Sequence, residues 1–101
     1  MWFITVFEKI EPVDNDYPEF GWQRTLGFYL DHKAAIQALH ENWIYMSAYD
    51  CDYAVIEKFN EGLLGYVFDS IQWFKFDRER KGYFEIDAPE CVKDFGSFAL
   101  G

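Results

Sequence analysis

Residues 31–43, DHKAAIQALHENW, decide the fold, because this is the stretch of the chain whose spacing is clearly helical. Ile36, Leu39, His40 and Trp43 recur at i, i+3, i+4 and i+7 and so share one face. Glu41 and Asn42 lie off that stripe and can stay in water. Asp31 suits an N-cap, its carboxylate placed to accept from the free amides of the first turn. A helix with one dry side needs a cover, and most of the remaining chain has the character of strand or loop. The predicted cover is therefore a sheet.

Upstream, residues 2–11 read as a strand with Trp2, Ile4 and Val6 on one side and Phe3, Thr5 and Phe7 on the other. Both sides are largely apolar, which predicts a central strand covered on each face. Residues 11–21, EPVDNDYPEFG, carry two prolines and an Asp-Asn-Asp triplet and predict a long, mobile acidic loop. From Gly21 to Leu30 strand character returns, with Trp22, Leu26, Phe28 and Leu30 on one face, interrupted by Arg24, and Gln23, Thr25 and Tyr29 on the other. Antiparallel pairing of this strand with the first is the simplest topology.

Downstream, residues 47–52, SAYDCD, form a polar connection and residues 53–59, YAVIEKF, the next strand, stopped by Asn60-Glu61-Gly62. Residues 63–71 fit a loose strand, a helical turn or an irregular packed loop equally well. Residues 73–77 and 83–87 predict a hairpin around the charged turn Arg78 to Gly82, with Phe74 and Phe76 matched against Phe84 and Ile86. Pro89 suits the first turn of a short helix through Phe95, and residues 98–100 could close the chain as an edge strand. The predicted class is α+β: a mostly antiparallel sheet of about five strands packed on one main helix. Residues 1–101 form a single domain.

Half of the 101 residues are hydrophobic and 22% are aromatic, enough for a core without metal or disulfide staples. A net charge of −9 disfavours direct binding to nucleic acid and to anionic membranes, both of which need Lys and Arg. It favours a basic partner surface, or simply keeps an aromatic-rich domain in solution. Cys51 and Cys91 are too few and too distant for a disulfide framework or zinc ribbon, so reduced thiols in a cytosol are expected. No signal peptide and no membrane span are read from the sequence.

Catalytic and metal motifs are weak. Asp14, Asp16 and Glu19, and Asp50 with Asp52, do not match a calcium loop and read as solvated acidic segments. His32 and His40 stand in no metal-ligand pattern, and nothing orients either against a cysteine as a nucleophilic pair. Phosphate-cradling glycine motifs are absent. No cofactor and no catalytic residue are expected. Arg78, Arg80 and Lys81 read either as a charged hairpin tip that discourages edge pairing or as a small anion contact.

The segments MWFITVFEKIEPVDNDYPEFGWQRT, GFYLDHKAAIQALHEN, DYAVIEKFNEG and FKFDRERKGYFEIDAPECVKDF, with the ending FALG, give the chain a resemblance to a family of small proteins encoded in phages and integrated mobile elements of gut bacteria. The resemblance covers nearly the whole chain and carries no catalytic motif. It implies a setting in which small acidic proteins often inhibit bacterial immunity, CRISPR effector nucleases among the targets. The expected function is then a non-enzymatic inhibitor that contacts a basic surface of a host defence protein. Its expected contact residues are Asp14, Asp16, Glu19, Trp22, Tyr29, Asp50, Asp52, Glu57, Glu61 and Trp73, acids that steer and rings that anchor. A second reading is a sponge for a nucleotide immune signal, its phosphate held by Arg24 or by the Arg78 to Lys81 tip and favoured by homo-oligomers that gather several tips. A third is a housekeeping role in the mobile element.

Overall fold

The computed structural model describes residues 1–11, 19–48, 51–61, 66–92 and 98. Five strands form one antiparallel sheet: β1 (Trp2–Phe7), β2 (Gln23–Tyr29), β3 (Tyr53–Phe59), β4 (Tyr66–Asp77) and β5 (Gly82–Ile86), in the order β2-β1-β3-β4-β5. Helix α1 (His32–Glu41) and the short α2 (Trp43–Ala48) cover one face. A 3₁₀ turn, Glu90–Val92, lies near the chain's end. The α+β class and the β1–β2 antiparallel pair agree with the sequence.

The two-sided apolar pattern of β1 has the predicted consequence. Ile4 and Val6 join Ala35, Leu39, Met46, Ala54, Ile56 and Phe74 in a core beneath the helices. Phe7 points the other way, into a second core with Ile10, Val55, Trp73, Val92 and Phe98. Thr5 is buried on the same side as Phe7, its hydroxyl 3.1 Å from that of Thr25. Among the described residues, Ile10, Val92 and Phe98 cover this second face.

Several local expectations are corrected. Asp31 occupies the N-cap position of α1 with extended backbone, but its side chain makes no capping hydrogen bond. The buried stripe of α1 is Ala35 and Leu39, flanked by the half-buried Ile36 and Trp43, while His40 is exposed in the last turn. Asn42 ends α1, its side-chain amide donating to the Ala38 carbonyl at 2.7 Å, and the chain starts a second helical turn that delivers Met46 to the core. Of the short helix expected through Phe95, the described part is the 3₁₀ turn Glu90–Val92, and residues 93–95 lie outside the described residues.

Strand β2 departs from simple alternation. Its register against β1 runs Phe7 to Gln23, Val6 to Arg24 and Thr5 to Thr25, then jumps to Ile4 opposite Gly27, Phe3 opposite Phe28 and Trp2 opposite Tyr29. Leu26 is the extra residue of a β-bulge, and a bulge exchanges the faces of everything beyond it. Arg24, Gly27 and Tyr29 consequently share the helix side, and Phe28 joins Thr25 on the other. The expected grouping of Phe28 with Arg24 is wrong for this reason.

The β4–β5 hairpin forms where expected, but one residue out of the expected register. Phe74 pairs with Glu85 and Phe76 with Tyr83, so Phe84 and Ile86 lie with Lys75 and Trp73 on the opposite face. The turn explains the shift. Asp77 accepts from the Glu79 and Arg80 amides at 2.9 and 3.0 Å and from Arg80 Nε at 2.8 Å. Lys81 then takes a left-handed φ of 55°, and Gly82 already belongs to β5. Residues 66–71 extend β4 as a strand with an irregular register against β3.

Candidate functional site

Seven of the ten expected contact residues are described, and these seven do not come together as one surface. Asp14, Asp16 and Asp50 lie outside the described residues. Glu57 and Trp73 are corrections, because their side chains are only 0% and 3% exposed. Glu57 projects from β3 into the second face, where both its oxygens accept from the Phe98 amide at 2.9 Å. Gln23 donates to the Phe98 carbonyl at 3.0 Å, so this residue is held through both its amide and its carbonyl. The Phe98 ring meets Phe7 and Trp73 at 5.4 and 5.2 Å, which locks Trp73 beneath it. These residues strap Phe98 to the sheet, and Glu57 and Trp73 are not available to a partner.

Glu19, Trp22 and Glu61 are exposed; Tyr29 and Asp52 are half-buried. Glu19 bridges Glu11 through paired backbone hydrogen bonds, which carries the β1–β2 ladder outward to the base of the acidic loop. Lys9 lies 3.6 Å from carboxylates of both Glu11 and Glu19, and their charge raises its pKa above the usual lysine value. Asp52 lines an open groove with Glu8, Lys9 and Arg78.

The surface that stands out is the β2 edge, which forms one side of the sheet and has no strand beyond it among the described residues. Trp22, Leu26, Phe28 and Leu30 are all exposed along this short stretch, Phe28 at 56% and Leu30 at 81%. Sequence alternation identified those four residues as one apolar group. The bulge instead sends them in different directions from a common edge.

A cavity of about 280 Å³ lies behind this edge, between β2 and the end of α1. Leu39 and Met46 contribute apolar lining, and Arg24, Tyr29 and Asn42 contribute polar groups. Gly27 lies in the lining, and a Cβ at this position would meet nothing within 4 Å. Sequence reasoning missed this cavity, although an isolated glycine inside a strand is a known sign of a bulge or of backbone laid open to a ligand.

The remaining chemical groups are held structurally. His32 stacks on Trp2 with ring centroids 4.3 Å apart and hydrogen-bonds Gln72 through Nε2 at 2.5 Å. Cys51 and Cys91 belong to opposite faces of the sheet and are not joined in a disulfide. Tyr83 donates its hydroxyl to the Cys51 carbonyl, and burial raises its pKa far above the usual tyrosine value. Arg80 is tied to Asp77 and lies 3.6 Å over the Phe84 ring. Among the described residues no three His, Cys, Asp or Glu side chains are grouped to hold a metal ion, and no helix is long and apolar enough to cross a membrane. Comparison of the chain with protein-family models, with curated proteins and with solved structures gave no match.

Proposed function

We propose that this chain is a small acidic binding protein of phage or mobile-element origin that inhibits a bacterial defence protein, such as a CRISPR effector nuclease, by direct contact with a basic surface. The observation that carries this reading is the β2 edge, where four large apolar side chains are exposed within nine residues of a chain whose net charge is −9. Exposed rings provide contact area that can be desolvated, and surplus carboxylates accelerate encounter with Lys and Arg. Glu19 stands at one end of this edge, and Glu61 adds an exposed carboxylate elsewhere on the surface. A nucleotide sponge built on the hairpin tip is less well supported, because Arg80 is already engaged by Asp77 and Phe84.

The test is capture of the defence protein from host lysate, followed by binding of the purified pair over a range of salt. Trp22→Ala with Phe28→Ala should weaken binding by about tenfold or more, as expected for ring anchors. Added salt should slow association. A pair that binds equally well after both ring substitutions, with the domain still folded, would remove the β2 edge as the interface.

A further inference from the structure

We propose that the cavity behind the β2 bulge binds a small organic anion: one ring or short chain carrying a carboxylate or a single phosphate group. The bulge at Leu26 creates the site by placing Arg24 and Tyr29 on the same side of the sheet, on either side of Gly27. Gly27 leaves the space between them open. Its backbone does not demand glycine, since the positive φ among the described glycines belongs to Gly21. Its surroundings do not demand one either, since an added side chain would meet no neighbour. The cavity opens to solvent beside the exposed Arg24, Leu26 and Asn42 and is floored by the core residues Ile4, Leu39 and Met46. Space that neither backbone nor packing requires is space for an occupant.

The lining defines that occupant. Its inner part is formed by buried, apolar Ile4, Leu39 and Met46, which suit a hydrocarbon body. Arg24 is the single fully charged group among the described lining residues, and it has no ion-pair partner among the described residues. The planar donors of its exposed guanidinium fit a carboxylate or phosphate in a two-pronged grip. The C-terminal end of α1 lies on the helix side of the cavity and carries partial negative charge. The anionic head must therefore lie on the strand side, against Arg24 and the Tyr29 hydroxyl, with the apolar body toward Leu39. At about 280 Å³ the cavity is near the lower end of small-ligand sites, roughly 300–1,000 Å³, which selects a single ring over a larger molecule.

Titration of the ¹⁵N-labelled protein with benzoate, with phenyl phosphate and with neutral benzyl alcohol tests the proposal by amide chemical shifts. Saturable shifts are expected at Gly27, Tyr29, Leu39, Asn42 and Met46 with at least one of the two anions. Benzyl alcohol should bind about tenfold more weakly or worse, the loss expected for a charge-assisted hydrogen bond. The stronger of the two anions identifies the head group. Gly27→Leu should fill the cavity and abolish the shifts, and Arg24→Gln, a change at an exposed position that leaves the core intact, should weaken binding by about tenfold. Absence of saturable shifts with both anions, equal binding of the alcohol, or benzoate binding unchanged by Arg24→Gln would each overturn the assignment. None of these outcomes depends on the capture of a partner protein at the β2 edge.

Discussion

Replacing Glu57 by alanine should release Phe98 from the sheet. The carboxylate is fully buried, and its two oxygens accept from the Phe98 amide at 2.9 Å. Removal leaves that amide without this acceptor in an apolar setting, at a cost of about 1–3 kcal/mol. Phe98 also makes ring contacts with Phe7, Phe20 and Trp73 at 5.2 to 5.9 Å, each worth about 0.5–1.5 kcal/mol beyond buried area. Relief from burying a carboxylate offsets part of this loss. The net expectation is a destabilisation of about 2–4 kcal/mol, a large share of the roughly 5–15 kcal/mol typical of a domain. Urea unfolding followed by circular dichroism measures the loss, and fluorotryptophan NMR reports whether Trp73 becomes accessible. Glu57→Gln keeps an acceptor and should lose about half as much. If Glu57→Ala were as stable as the wild type and Trp73 stayed covered, Glu57 would not hold the strap and the burial argument would fail.

Tyr83→Phe deletes the hydroxyl that donates to the buried Cys51 carbonyl and should cost about 1–3 kcal/mol in the same urea assay. Lys81→Gly should stabilise the hairpin by about 1 kcal/mol, because the φ of 55° at this position is costly for any residue with a Cβ. Asp77 has a pKa below its ordinary 3.8, chiefly through the hydrogen bond from the Arg80 amide and then the Arg80 side chain. Its contribution is therefore complete above the ordinary aspartate value and fades as pH falls through the lower folded value; amide exchange at Glu79 and Arg80 should quicken over that acid range, and Asp77→Asn should flatten the response.

The sequence made the architecture legible where one residue pattern had one structural solution. Two apolar faces on residues 2–7 could be satisfied only by a covered central strand, and β1 lies between β2 and β3. The helix was equally plain, although alanine at position 35 proved to be a core residue because it lets α1 approach the sheet closely, while His40 turned outward. The bulge at Leu26 was not legible, since residues 23–29 alternate as an unbroken strand would and only Gly27 signals a departure. Glu57 misled for a different reason. A carboxylate between Ile56 and Lys58 looks solvated until an amide from residue 98, remote in sequence, is brought against it. The hairpin register depended on Lys81 accepting a left-handed backbone, a choice that composition does not announce.

The central place of β1 also sets an order of events on the ribosome. β1 is synthesised first of the five strands, yet one of its two hydrogen-bonded neighbours, β3, begins only at Tyr53. With synthesis at roughly 5–20 residues per second, the most apolar strand waits seconds with one edge bare. The β1–β2 hairpin, joined through the Thr5–Thr25 hydroxyl pair, protects the other edge in the meantime. The nascent chain is thus most open to capture by a chaperone, or to pairing with a neighbouring nascent copy, between the emergence of β2 and that of β3.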